Sequence, residues 1–338
     1  MSAKTVWLDY AAAGRKPKLL ANLSAVAKAG DYLWTASDEM RTIECLAPEG
    51  SGYCLHAQYA LDQLFPGLPG AEDQLEADVE ALEVANDRLW ICGSHSLTRR
   101  SQSKTKSDRV DPKIRKRPSR RLLGSVGLAP GGDALAPPGT ALPFKGAGSV
   151  RTVLGAHAHI APFMQLPSKE NGFDIEGLTV WRGKIFVGLR GPVVDNIAII
   201  AAITVTSAFA IGAVVLHFVD LGGLGVRDLA RWQDTILILA GPVNSADGPF
   251  RLLQWQPLRS QKIQTPDCLM RFASGVDHPE GICPLQRERA EGVIVLYDTA
   301  NKDRTNGTRY RADWIELPRR RAGAGALAAP AGQRARVR

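Results

Sequence analysis

Five segments of the chain share one pattern. Each has a polar residue, a small or acidic one, an alternating apolar run, a turn carrying Gly, Asp or Arg, and a denser apolar run ending in polar residues. They are LSAVAKAGDYLWTASDE from Leu23, DVEALEVANDRLWICGSHS from Asp78, DIEGLTVWRGKIFVGLRGP from Asp174 and GVRDLARWQDTILILAGPV from Gly225, with HPEGICPLQRERAEGVIVLYDTA from His278 as a longer-turned fifth. Alternation on either side of a short turn reads as a strand hairpin. The anchor positions Ser24, Glu80, Glu176, Arg227 and Glu280 are separated by 56, 96, 51 and 53 residues. A step near 50 accommodates four short strands with their turns, the unit of a β-propeller blade. The expected fold is therefore all-β, a β-propeller of five or six four-stranded blades. TVWLDY near the start and YRADWIEL near the end would close the ring without exposed sheet edges. The step of 96 holds either a degenerate blade or an insertion, and six blades is the favoured count.

Residues 1–317 are expected to form this single domain, interrupted by a basic, disordered insertion at about 97–150 and followed by a disordered Arg/Ala-rich tail, 318–338. Charge supports that division. Arg99 to Arg121 carries eleven Lys or Arg against Asp108 and Asp111, and the tail carries six Arg and no acid. With those +9 and +6 set aside from the total of +8, the remaining body is at −7. Basicity thus belongs to an insertion and a tail, and RRSQSKTKSDRVDPKIRKRPSRR interleaves no aromatic for base stacking, so nucleic acid is disfavoured as a partner. An α/β alternative fails for want of helical periodicity, and LGGLG at 221–225 precedes a strand-like run where a dinucleotide fingerprint needs a helix.

Five scattered cysteines without a CxxC pair, and no apolar core near the N-terminus, make a reduced, cytoplasmic protein the expectation. The uncharged run Ile197 to Val219 is long enough for a membrane helix. Its β-branched residues and central Thr-Ser and Gly favour two buried strands joined by a turn near Ser207 to Gly212.

In a propeller the first strand of each blade lines the central channel, so the anchors form a ring. Asp78, Asp174 and His278, two residues earlier, share its strand face, and Asp277 and Asp228 lie beside it. Three glutamates around one channel mouth repel one another unless a positive charge sits among them. Arg227 is one candidate, and a divalent cation is the other. The all-oxygen set Glu80, Asp174, Glu176, Asp277 and Glu280 suits Ca²⁺ or Mg²⁺ rather than zinc. The second strands should end on the same face, bringing Asp38, Glu39, His95, Arg190 and Asp298 into range. Arg190, Arg227 and His278 are the catalytic candidates. Equally, an acid heading each blade can be structural, accepting backbone N–H bonds from the next. His157 and His159 in GAHAHIAPF form a possible metal pair without a third ligand nearby in sequence.

FDIEGLTVWRGKIFVGLRGPV, VDLGGLGVRDLARWQDTILILAGP, DGPFRLLQW and DHPEGI, with the lead-in LPSKENG, resemble the bacterial family catalogued as domain of unknown function 3616, over most of residues 20 to 300. That resemblance implies a shared fold and no activity. More distantly, DIEGL and HPEGI are similar to the starts of phytase-like and lactonase-like propeller strands, where acids bind a metal. Arg227 departs from that pattern and argues against a simple metal ring. Two functions follow as expectations. One is a metal-dependent hydrolase of a phosphate ester or lactone, with a small anionic ligand. The other is a non-catalytic propeller that binds a protein or small ligand, with Arg227 and the glutamates satisfied by one another.

Overall fold

A computed structural model of the chain describes residues 3–14, 17–73, 75–100, 110–257, 262–275, 277–298 and 304–318. Strand β1 (Ala3–Asp9) leads into a short helix, α1 (Pro17–Ala21). Then β2 (Leu23–Ala29), β3 (Tyr32–Ser37), β4 (Thr42–Glu49) and β5 (Gly52–Ala60) form an antiparallel meander. After the single turn α2 (Leu61–Leu64) come β6 (Val79–Ala85) and β7 (Arg88–Gly93), and then a hairpin of β8 (Leu97–Arg99) with β9 (Ile114–Lys116). Strands β10 (Leu123–Leu128) and β11 (Leu135–Ala141) complete a four-stranded sheet in the order β11-β10-β7-β6.

Helix α3 (Val150–Gly155) precedes two further four-stranded sheets. One is β12 (Asp174–Trp181), β13 (Lys184–Gly191), β14 (Ile197–Val205) and β15 (Ile211–Asp220). The next is β16 (Gly225–Trp232), β17 (Thr235–Gly241), β18 (Arg251–Trp255) and β19 (Asp267–Arg271). Finally β20 (His278–Pro284), β21 (Gly292–Asp298), the two-residue β22 (Thr305–Asn306) and β23 (Arg309–Glu316) end the described chain. β1 pairs along its length with β23, extending the order β20-β21-β23-β1, and its other edge meets β5 at Leu8↔Tyr53 and Asp9↔Cys54.

The turns explain the hairpins. In β6–β7 and β12–β13 two residues with positive φ, Asn86–Asp87 and Arg182–Gly183, close the loop. That geometry matches the right-handed strand twist. Arg182 holds a left-handed conformation that costs a non-glycine residue about 1 kcal/mol, and its guanidinium covers the Trp181 ring at 4.3 Å. Apolar clusters lie between successive sheets. One joins Trp34 and Ile43 to Leu82 and Ile91, another joins Cys92 and Leu123 to Ile175 and Val187, and a third joins Ile200 to Ile236 and Ile238.

The run from Ile197 to Val219 is the hairpin β14–β15, turning at 206–210, so the two-strand expectation holds. Among the described residues no helix is long and apolar enough to cross a membrane. The expected disordered insertion is corrected over its described part, because 110–150 contains β9, β10, β11 and the start of α3. Sequence patterning misses β10 because glycine stands where alternation would put a large apolar residue. A Cβ on Gly124 would lie 2.7 Å from the Phe65 ring. The paired prolines of β11 are tolerated because that strand lies at the sheet edge. Residues 101–109 of the insertion, and all of the expected tail except Pro318, lie outside the described residues.

Candidate functional site

Every anchor residue of the sequence repeat falls at an irregularity in its hairpin. The register of β2–β3 shifts between Leu23 and Ala25, skipping Ser24, and that of β6–β7 shifts between Val79 and Ala81, skipping Glu80. The same occurs at Glu176 in β12–β13, at Arg227 in β16–β17 and at Glu280 and Gly281 in β20–β21. A bulge leaves its extra residue out of the ladder and turns the side chain away from strict alternation. The repeat is therefore a repeat of bulges. Three of the five residues they present, Glu80, Glu176 and Glu280, line a cavity of about 710 Å³.

Arg227 lies behind that cavity and bridges two of these acids. Its Nε is 3.0 Å from Glu176 Oε2, and an Nη2 hydrogen donates to Glu280 Oε1. Glu176 has a second cation, Arg190 Nη1, at 2.6 Å. Arg190 is itself fixed, donating through Nε to Val243 O at 2.9 Å and through Nη2 to Asn244 O at 3.0 Å. Its backbone is approached so closely by β16 that a Cβ on Gly225 would sit 2.0 Å from Arg190 O. Burial lowers the Arg190 pKa, but Glu176 and Asp174 outweigh it and hold the guanidinium above its ordinary value. Burial raises Glu280, with Arg227 opposing; because a guanidinium nitrogen touches its oxygen, this geometry holds the carboxylate form. Opposite, Arg120 pairs with Glu76 at 2.5 Å and with Asp78 at 2.6 Å.

Four cavity-lining carboxyls are left over, of which Asp298 is exposed and three are not. Asp38, which follows β3, Glu80 and Asp174 have no hydrogen-bond donor and no ion pair among the described residues. Asp174 is 2% exposed, and its Oδ1 is buried without a partner, as is Oδ1 of Asp38. Burial first, and then neighbouring acids, pushes all three well above the ordinary carboxylate range. For Glu80 those neighbours are Asp78, Glu176, Asp38 and Glu280, which together outweigh its attraction to Arg120.

Of the remaining sequence candidates Glu39, paired with Lys18, and Asp298 line the cavity, and the others go elsewhere. Asp277 is held 2.6 Å from Arg304, and His278 lies 3.2 Å from Asp247 with its ring against Phe250; neither lines the cavity. His95 is buried with Nε2 3.2 Å from Leu122 O, and burial lowers its pKa to about 3, so it is neutral. His159 packs edge-on against Phe218. The structural role expected of an acid heading each blade falls instead to Asp228, beside the anchor Arg227, whose Oδ1 accepts from Leu229 N at 2.7 Å and Oδ2 from Ile282 N in β20 at 2.8 Å. Ser24 makes a similar tie, its Oγ donating to Val79 O at 2.5 Å.

Of the expected metal set, Glu80, Asp174, Glu176 and Glu280 come to one cavity and Asp277 does not. Among the described residues no three His, Cys, Asp or Glu side chains are grouped to hold a metal ion. A site through Glu176 and Glu280 together does not fit Ca²⁺ or Mg²⁺, because arginines occupy both oxygens of Glu176 and one of Glu280. Sequence reasoning missed Arg117, Arg120 and Lys169, which also line the cavity. For the two arginines the only signal was the charge of an insertion, which carried no address, and Lys169 stands outside it in the lead-in LPSKENG.

No curated protein matches the chain. Solved structures similar to it include glutaminyl cyclase from Myxococcus xanthus, at 11% identity, covering 93% of this chain and 96% of that one with a TM-score of 0.46. The PQQ-bound aldose sugar dehydrogenase from Streptomyces coelicolor is 12% identical, covering 94% of this chain and 99% of that one, with a TM-score of 0.40. An exo-β-1,3-galactanase from Phanerochaete chrysosporium, solved with galactose, is 10% identical; 94% of this chain matches 64% of that one with a TM-score of 0.46. At such scores these likenesses carry no argument about chemistry. The model of the family described as a protein of unknown function, DUF3616, matches residues 22–312, and the chain belongs to that family.

Proposed function

We propose that this chain is a five-bladed β-propeller that binds a small ligand carrying positive charge at its channel mouth, through Asp38, Glu80 and Asp174. The five-blade count is supported by packing of the inner strands, β2 on β6, β6 on β12, β12 on β16, β16 on β20 and β20 back on β2. On this reading the ring closes through β1 and β23, and the 96-residue step holds the rest of the second blade together with the β8–β9 hairpin.

One observation carries the binding reading. Buried Asp174 and half-buried Asp38 and Glu80 line the cavity without a partner, while their neighbours Asp78, Glu176 and Glu280 are each supplied with arginine. Unpaired acids held protonated by burial regain their charge when a cation arrives, and the recovered interaction favours binding. An organic amine, with several N–H donors, reaches carboxyls set too far apart to enclose one metal ion. Hydrolysis is the weaker reading, because the guanidinium of Arg227 is already committed to Glu176 and Glu280.

The test is calorimetric titration near neutral pH with ethanolamine and, separately, with Ca²⁺ and Mg²⁺. Ethanolamine should bind the parent, release protons so that the heat varies with the ionisation enthalpy of the buffer, and lose its heat in Glu80→Gln. Divalent-ion binding with no response to ethanolamine would replace the amine by a metal. No response to any of the three would refute a cation site here.

A further inference from the structure

Two chemically different groups of side chains line the cavity, and the chain builds them from different parts. The acids come from the heads of the inner strands and the turn after β3. The cations are Arg100 at the end of β8, Arg117 after β9, and Lys169 in the short turn Ser168–Glu170 that precedes β12. Two other arginines fix the elements that carry them. Arg99 joins the hairpin to the turn, with Nε 2.5 Å from Glu170 Oε1 and Nη1 donating to Asp111 O at 2.6 Å. Arg115 pairs with Asp111 at 2.6 Å. Arg100, Arg117 and Lys169 have no carboxylate partner among the described residues, and the buried Nε of Arg117 has no acceptor.

Among the acids, the 2%-exposed Asp174 presents an unpartnered buried oxygen. Free carboxyls and free cations thus line one cavity with no ion pair between them among the described residues. An ion of either sign alone is attracted by one group and repelled by the other, whereas a molecule with both charges can set each against its opposite.

We infer that the ligand is dipolar, with an amine held by Asp38, Glu80 and Asp174 and an oxyanion held by Arg100, Arg117 and Lys169. This rests on the amine-binding reading above and adds the second charge. Arginine suits the role because its planar donors meet two oxygens of a phosphate or carboxylate at once.

Three probes separate the two groups when titrated into the full chain: phosphoethanolamine, ethanolamine and inorganic phosphate. Phosphoethanolamine should bind tighter than either half by at least about tenfold, the worth of one charge-assisted hydrogen bond. Arg117→Gln, a side chain that no described contact uses, should reduce phosphoethanolamine to the affinity of ethanolamine while leaving ethanolamine unchanged. Glu80→Gln should reduce it to the affinity of phosphate. If ethanolamine binds and the phosphate adds nothing, the dipolar inference fails and the amine site stands. If none of the three binds, both fail.

Discussion

Replacing Arg227 by Gln tests the network that separates the occupied acids from the free ones. The substitution removes the cation from Glu280 and one of two cations from Glu176, which keeps Arg190 at 2.6 Å. Glu280 is then buried and uncompensated. Breaking a buried pair from one side costs about 3–5 kcal/mol when the remaining charge has no escape. Here it has one, because the carboxyl can take a proton. Protonating a glutamate at pH 7 costs about 1.4 kcal/mol for each pH unit above its ordinary pKa of about 4.3, a ceiling of about 3–4 kcal/mol. The expected loss is therefore about 3 kcal/mol near pH 7, shrinking to about 1.5 kcal/mol near pH 5.5 as protonation becomes easier. Urea denaturation at the two pH values measures both. Adding Glu280→Gln should restore most of the loss, since an amide needs no counter-charge. A loss below about 1 kcal/mol, the worth of an ordinary hydrogen bond, or one that is the same at both pH values, would mean that Arg227 does not hold Glu280 ionised.

Two further perturbations probe the packing between neighbouring sheets. Burial raises Glu83 to about 7, opposed by the hydroxyl of Thr179, which donates to it at 2.5 Å. A raised folded pKa means that its stability is fully present below the ordinary glutamate value and is lost as pH climbs to about 7; Glu83→Gln should remove that loss and gain up to about 3 kcal/mol above neutrality. Equal pH dependence in parent and variant, followed by thermal denaturation, would refute it. Asp228→Asn should destabilise by about 2 kcal/mol, because one of two backbone N–H groups would face an amide donor. It should leave ethanolamine affinity unchanged, since Asp228 does not line the cavity; a parent-like urea midpoint would show that the tie to Ile282 holds nothing.

The sequence repeat and the candidate site share one physical cause, which decides how much could be read in advance. A bulge repeated at Ser24, Glu80, Glu176, Arg227 and Glu280 needs a residue that does not belong to the buried alternation, so it shows in the sequence as a polar residue where an apolar one is due. Hairpins and anchors were legible for that reason. Which anchors would be neutralised was not, because that depends on side chains from other strands. Arg190 comes from the second strand of its sheet, and Arg120 follows the β8–β9 hairpin. The strands β10 and β11 were hidden by the glycines and prolines that let them fit. The basic stretch was legible as charge but not as position, and position gives the charge its meaning. Arg100 and Arg117 from that stretch, with Lys169 from outside it, line the cavity beside acids that Arg120, Arg190 and Arg227 leave unpaired. Had the ring been built only of glutamates, a metal would be the economical counter-charge. With arginine at one anchor, the anchors neutralise part of their own charge and leave Glu80, with Asp38 and Asp174, for a ligand.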